Sequence, residues 1–556
     1  MVRPISPPPA DQALDCDICI VGGGAAGLTL ALDLIGTAHK VLLVDPGRLD
    51  GGQTSQDLYE GEVVNPRHAA PHLYRHRRLG GSTAIWGGRC IPFDPIDFER
   101  RSYVELSGWP FNYSELEAYY PRAQELLEAG TYDYSAASAI GGAPLVSGFD
   151  DPNVLSDSLE RFSLPTNFWR EYRREISASP NVQVIAEATA VKFRRGGGDA
   201  AAALACVGPG GGSFDVRARV FVVAAGGLET VRLLGYSGMG DTHGLLGRTY
   251  MCHVESNLGE MRLAPATRGI RYGFERTHDG VYARRRFTLA EERQRELGVM
   301  SVAVRPHHPG VADPSHGHPV LSAMFLAKRF IIPEYARRFA AQADQDNPRK
   351  ARSDLVAHIR NVTLGAPALA GFVLDWTYRR YLSRRRIPYV ALPSAAGVFP
   401  LDLNAEQEPN LASRVLLTDS LDRNGTPRLR IDWRLTQADY RTVTVTLREL
   451  RAAFRRTGCG DVAFDDENLD DLVRDNVKPV GGHHIGTARM AASPSRGVVD
   501  AACRLHDVPN LYIAGAATFP TSSHANPTLT IVAMALRLGA HLRAELGAPV
   551  RSGLAR

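Results

Sequence analysis

His483 and His484 stand side by side in Gly482-His483-His484-Ile485-Gly486-Thr487, and His524 and Asn526 stand just ahead of an apolar segment that begins Pro527-Thr528-Leu529. A neutral imidazole with a pKa near operating pH takes up a proton, and a side-chain amide holds an oxygen on which negative charge develops. Together these groups suit removal of a hydroxyl proton while the adjoining C–H bond is held in place. Taken singly, His484, His524 and His253 also read as packed, hydrogen-bonded side chains. A different chemistry is written in Gly22-Gly23-Gly24-Ala25-Ala26-Gly27, which has G-x-G-x-x-G spacing, with Asp45 downstream. Gly22 permits a tight turn, Gly24 lets backbone approach a pyrophosphate, Gly27 allows close helix packing, and Asp45 can accept hydrogen bonds from ribose hydroxyls. The run Leu79-Gly80-Gly81-Ser82-Thr83-Ala84-Ile85-Trp86-Gly87-Gly88 brings backbone close to a flat ring with Trp86 as a wall, or is simply a glycine-rich surface loop.

The first glycine motif binds a dinucleotide only if it follows a strand and opens a helix. Residues 17–21 read as a buried strand, a helical pattern continues through Ile35, and residues 40–44 form a second strand that ends in Asp45, which makes a βαβ unit. The strand–glycine–helix pattern returns at 220–225 with Gly226-Gly227, and a further strand at 511–514 ends in Gly515. The patches Gly196 to Gly198 and Gly210 to Gly212 read as turns between strands. Mixed strands are expected over 259–326, a basic helical stretch over 329–386, and strands over 414–433. The expected fold class is α/β. A dinucleotide-binding domain is assembled from 12–100, 176–258 and 471–546, with a connecting segment at 101–175 and an inserted α+β domain with an antiparallel sheet at 259–470.

Composition narrows the function classes. The chain has 556 residues, 44 % of them hydrophobic and 22 % charged, which excludes a disordered chain and a small disulfide scaffold. A formal charge of +4 from 64 basic and 60 acidic residues gives no electrostatic footprint for nucleic acid. Seven cysteines, odd in number and scattered, fit a reducing compartment, and with no apolar core in residues 1–14 a cytoplasmic location is expected. Cys16 and Cys19 have CxxC spacing but lie in a strand with no second pair, and the histidines lack carboxylates at ligand spacing, so no metal is expected. The apolar stretch 362–374 is too short to span a bilayer. Following it, 376–386 carries Arg379, Arg380, Arg384, Arg385 and Arg386 with Trp376, Tyr378 and Tyr381. This reads first as the solvated face of an amphipathic helix, the alternatives being a surface for an anionic membrane or a partner subunit.

Four blocks occur in one order along almost the whole chain: the Gly22 motif, the Gly80 loop, Ala224-Ala225-Gly226, and the His483 and Asn526 segments. In this the chain resembles the glucose-methanol-choline (GMC) oxidoreductases. The resemblance implies a Rossmann-like FAD-binding domain with an inserted substrate domain, FAD as cofactor, and oxidation of an alcohol by hydride transfer to flavin N5. The family's H-x-x-G-T motif falls on His483 rather than His484, and its second catalytic position falls on Asn526. This His and Asn pair is similar to that of pyranose and choline oxidases. Cofactor contacts are expected from Gly22, Gly24, Ala26, Gly27 and Asp45; from Gly81, Ser82, Trp86 and Gly87; and from Val191, Gly515, Ala516, Pro527 and Thr528. Asp45 replaces the family's usual Glu with the same hydrogen-bonding role. Ile85 stands where some pyranose oxidases attach FAD through a His, so noncovalent FAD is expected.

The expected substrate is a sugar, glycoside or cyclitol, and the expected acceptor is dioxygen or a small diffusible molecule. The alternative is a dehydrogenase subunit that passes electrons to a quinone or protein partner. Flavin monooxygenases and amine oxidases share the N-terminal pattern but do not call for His483 and Asn526 in this arrangement.

Overall fold

The structure is a computed structural model and describes residues 13–52, 55–267, 269–327, 348–392, 394 and 397–547. Strand β1 (Ala13–Val21) leads through the glycine turn into helix α1 (Ala25–Asp33) and returns in β2 (Val41–Val44). The second half of β1 is wholly buried while its first half is half-exposed, because β2 pairs with β1 only from Ile18 onward and leaves the start of the strand with a neighbour on one side. The sheet runs in the order Val182–Ile185, β2, β1, Ser213–Val223, with Leu511–Ile513 added in parallel beside the last of these. Ser213–Val223 is long enough to carry two neighbours. Its first half pairs antiparallel with Ala201–Val207, itself paired with Thr189–Arg195, and its end pairs with Leu511–Ile513. The two glycine patches are the turns of that meander. Segments far apart in sequence thus close one nucleotide-binding layer.

The second sheet is mainly antiparallel, with Val302–Pro306 and Val398–Ala405 at its centre in register Val304 with Leu403. Helix Gln437–Arg456 covers one face, burying Val443, Leu447, Leu450, Ala453 and Phe454. A capping box of Thr436 and Asp439 starts that helix by satisfying reciprocal backbone donors. Strands over 259–326 are interrupted by helices Glu291–Leu297 and Pro319–Leu326. The strands Arg414–Leu421 and Pro427–Asp432 join Gly61–Val63 in a separate sheet, and their Val415, Leu429 and Ile431 pack with Leu228 and Val231 of the helix Gly226–Ser237. Of the basic stretch 329–386, residues 329–347 lie outside the described residues. The remainder forms helices Pro348–Leu364 and Ala366–Thr377 and one turn of π-helix, Tyr378–Leu382.

Candidate active site

A cavity of about 1960 Å³ runs from the glycine turn to the face of the second sheet. Its first end explains the glycines individually. At Gly22, φ is +108° and a Cβ would meet Ala224 O at 2.6 Å, while at Gly27 it would meet Gly22 O at 1.9 Å. Neither position tolerates a side chain. A Cβ on Gly24 would have nothing within 4 Å, so this glycine opens backbone to the cavity instead. Helix α1 begins at that point with no side-chain cap, and its unpaired N–H groups and positive end suit a diphosphate. Asp45 lines the cavity and holds the turn, accepting from Gly23 N–H and Gly47 N–H at 2.7 Å each. Burial pushes its carboxyl above the ordinary carboxylate range despite those bonds. Each of its oxygens keeps a lone pair for a ribose hydroxyl.

Gly22, Gly24, Ala26, Gly81, Ser82, Trp86 and Gly87 line the same cavity, as do Gly515, Ala516, Pro527 and Thr528. Gly27 lies behind the turn. Val191 is not in the lining, where Ala188, Thr189 and Ala190 stand instead; it sits at an irregularity between Ala190 and Lys192 in the strand register. Trp86 is held by its indole N–H, which donates to Thr166 O at 3.0 Å, and Ile85 is at the cavity wall. Helix Thr528–Leu546 starts after Pro527 without a side-chain cap, so a second positive helix end faces the cavity. The open Gly24, the paired Asp45 and the two uncapped helices fit FAD.

The reacting end is set by strand register. Met251 and Ile485 exchange both backbone hydrogen bonds, at 2.9 and 3.0 Å, which brings His253 beside His483. His253 is fully buried, and its Nε2 lies 3.1 Å from Ser522 O. A carbonyl only accepts, so His253 carries its proton on Nε2 and presents a lone pair at Nδ1. His483 Nδ1, 2.6 Å away, must then be the donor. That leaves the lone pair of His483 on Nε2, 3.2 Å from the Asn526 amide nitrogen. Asn526 Oδ1 is buried without a protein partner among the described residues. Burial, helped by His253 and Arg89, holds His483 well below the usual imidazole range, and burial brings His253 down to about 4. Both rings are neutral at ordinary pH, and the base position of His483, Nε2, accepts from the Asn526 amide.

The loop that carries Asn526 is fixed by the second sheet and its surroundings. Asn404 Nδ2 donates to His524 O at 2.7 Å, Gln407 N–H to Ser522 Oγ at 3.0 Å, and His524 N–H to Ser301 Oγ at 3.1 Å. His484 and His524 do other work. His524 Nε2 accepts from Arg286 at 2.5 Å. His484 Nδ1 is 2.7 Å from the Tyr250 hydroxyl, which also meets His68 Nε2 at 2.9 Å and Cys252 Sγ at 3.1 Å. His68, Cys252 and His484 bring three potential metal ligands within 4.8 Å, but the hydroxyl already engages each of them.

Sequence reasoning left His253 undecided, because only the pairing of 251 with 485 brings it to His483. It missed the substrate end altogether. There Arg89, Glu255, Asn257, His307, Asp402 and Tyr389 line the cavity, and Arg89 is ion-paired to the buried Glu160 at 3.4 Å. Arg89, Glu255 and Asp402 come from three separate strands and Asn257, His307 and Tyr389 from the segments between elements, and together they share no spacing that would mark them.

A family model described as FAD dependent oxidoreductase matches residues 17–399, and one described as GMC oxidoreductase matches 409–535. Among curated relatives, the paromamine 6'-oxidase of Streptomyces fradiae is 23 % identical over 94 % of this chain and 90 % of its own. The 2-methyl-1,2-propanediol dehydrogenase of Mycolicibacterium austroafricanum is 22 % identical over 96 % and 95 %. A formate oxidase crystal structure superposes with a TM-score of 0.53 at 16 % identity, covering 96 % of this chain and 99 % of that one, which shows the fold. With a flavin-type nucleotide site and family models over both parts of the chain, this protein belongs to the FAD-dependent GMC oxidoreductases, enzymes that act on CH–OH groups.

Proposed function

We propose that the enzyme oxidises an alcohol group of a sugar, glycoside or cyclitol to a carbonyl, with His483 as the base and Asn526 orienting the substrate. The carrying observation is the tautomer chain from Ser522 O through His253 to His483, which leaves the His483 Nε2 lone pair beside the Asn526 amide. When bound, FAD supplies the acceptor for the hydride. His483 Nε2 takes the hydroxyl proton, and Asn526 Nδ2 donates to the alkoxide oxygen as charge builds on it. His253 keeps His483 in the productive tautomer and accepts from its Nδ1–H throughout.

The lining favours a polyhydroxylated substrate, since Arg89, Glu255, Asn257, Asp402 and Tyr389 offer hydrogen bonds around one wall. Such a site rejects analogues that leave its buried polar groups unpaired. The relative from Streptomyces fradiae, a paromamine 6'-oxidase, points the same way. The test is anaerobic flavin reduction with a panel of alcohols at equal concentration. Pyranosides or cyclitols should reduce the flavin fastest, and a faster reaction with aliphatic alcohols would reject the sugar-like assignment while leaving alcohol oxidation in place.

FAD is held noncovalently in this reading, because Ile85 offers no nucleophile at the cavity wall. Acid precipitation should leave a colourless pellet and a yellow supernatant; a yellow pellet would contradict it. Dioxygen or a small diffusible acceptor takes the electrons. Exposed arginines close to the cavity mouth, Arg379 and Arg384, favour the second reading of electron transfer to a quinone or protein partner. The unpaired state of all seven cysteines supports a cytoplasmic setting.

A further inference from the structure

Helix Ala366–Thr377 has no buried residue, although its run from Ala366 to Leu374 is wholly apolar or glycine. A helix apolar around most of its circumference is stable in water only when something covers it. Leu374 is 73 % exposed, and Leu382, on the π turn that follows, is 72 % exposed. Tyr378 and Tyr381 are exposed beside them, and Val356 and Ile359 are exposed on the preceding helix. The segments on either side of that helix are cationic. Arg360, Arg379, Arg384 and Arg386 are exposed, whereas the acidic residues of 353–387 are Asp354 and Asp375, and Asp375 is ion-paired to Arg379 at 2.8 Å. On its inner side, Leu369, Phe372 and Trp376 line the cavity.

We propose that this helical hairpin docks in the plane of an anionic lipid bilayer. Leu374, Leu382, Tyr378 and Tyr381 enter the boundary between headgroups and acyl chains, and the arginines meet lipid phosphates. No helix among the described residues is long and apolar enough to cross a membrane, and Ala366–Thr377, roughly 18 Å long, lies along the surface. Charge selects the occupant. A second copy of this chain meeting the patch about a twofold axis would set the same arginines against one another. An anionic leaflet complements them, each arginine strengthening attraction to the surface. Because the inner side of the hairpin lines the cavity, docking brings the cavity mouth to the lipid surface.

The holoenzyme should sediment with vesicles of equal parts phosphatidylglycerol and phosphatidylcholine at low salt. Partitioning should fall about tenfold or more on phosphatidylcholine alone or in high salt. The double variants Leu374→Glu/Leu382→Glu and Arg379→Glu/Arg384→Glu should each lose binding to a similar extent, with the visible flavin spectrum unchanged. The proposal is overturned if wild-type enzyme stays in solution with anionic vesicles, or if both variants still sediment. It is also overturned if light scattering finds a dimer that Leu374→Glu splits, which would mean that a second copy covers the patch.

Discussion

Replacing His483 with Ala slows anaerobic flavin reduction by about 10²- to 10⁴-fold, the usual contribution of a positioned general base. Flavin content should change little, since the imidazole faces Asn526 rather than the glycine turn. The size of the effect follows from preorganisation: one tautomer is enforced before substrate arrives, and its lone pair faces the cavity. His484→Ala should leave the rate far closer to wild type, because His484 Nδ1 is engaged by Tyr250. A large loss in His484→Ala with near-normal kinetics in His483→Ala would transfer the role to the neighbour. The pH profile is a second check. Burial holds His483 well below the ordinary imidazole range, so the base is already deprotonated at neutral pH. The rate should be flat from alkaline pH down through about pH 6 and fall only in more acid solution. A rate that climbs steadily between pH 6 and 8 would place the titrating base elsewhere.

A second large effect is expected on stability in acid. His68, His253, His484 and His524 are all buried, and burial is the first cause of the lowered pKa of each, with His253 down to about 4. The unfolded chain holds these rings near the ordinary imidazole value of about 6.5. Below that pH the unfolded state binds more protons than the folded one, so stability falls as pH falls, and the loss continues down to the folded values. Each such ring contributes about 1.4 kcal/mol per pH unit within its window. Several acting together exhaust a net stability of about 5–15 kcal/mol within a few units. Thermal melts followed by circular dichroism should show a steep drop in midpoint between pH 6.5 and 4.5, with cooperative unfolding near the acid end. A midpoint that is level over that interval would mean that these rings are protonated in the native state.

The nucleotide half of the site was legible because its chemistry is local. Gly22, Gly24, Gly27 and Asp45 lie within one βαβ unit; Gly22, Gly27 and Asp45 answer to contacts within that unit or the strand beside it, and Gly24 to the open cavity in front of the turn. Element type was legible for the same reason, while boundaries moved. The strand expected at 220–225 runs over Ser213–Val223, since its first half pairs with a meander whose partner strand shows only weak alternation. His483 and Asn526 were found through resemblance, their motif being short and placed at chain turns. The substrate wall was not legible. Arg89 sits on the four-stranded sheet, Glu255 and Asp402 on the second sheet and Tyr389 on the segment after the π turn, so they meet only once these pieces have packed around the cavity, and their positions follow from tertiary register rather than from any local spacing.

The placement of Leu511–Ile513 against Phe221–Val223 also bears on how the enzyme is made. During synthesis the end of Ser213–Val223 emerges long before its partner. Translation proceeds at about 5–20 residues per second, so that edge waits roughly a quarter of a minute to a minute for residue 511. Gly515, Ala516, Asn526 and Thr528 arrive later still. The nascent chain therefore carries an open β-edge and an incomplete cofactor cradle for most of its time on the ribosome, a state that invites pairing with other chains. Flavin capture belongs to the last moments of synthesis or to the time after release, and cellular supply of FAD then competes directly with aggregation for the newly finished chain.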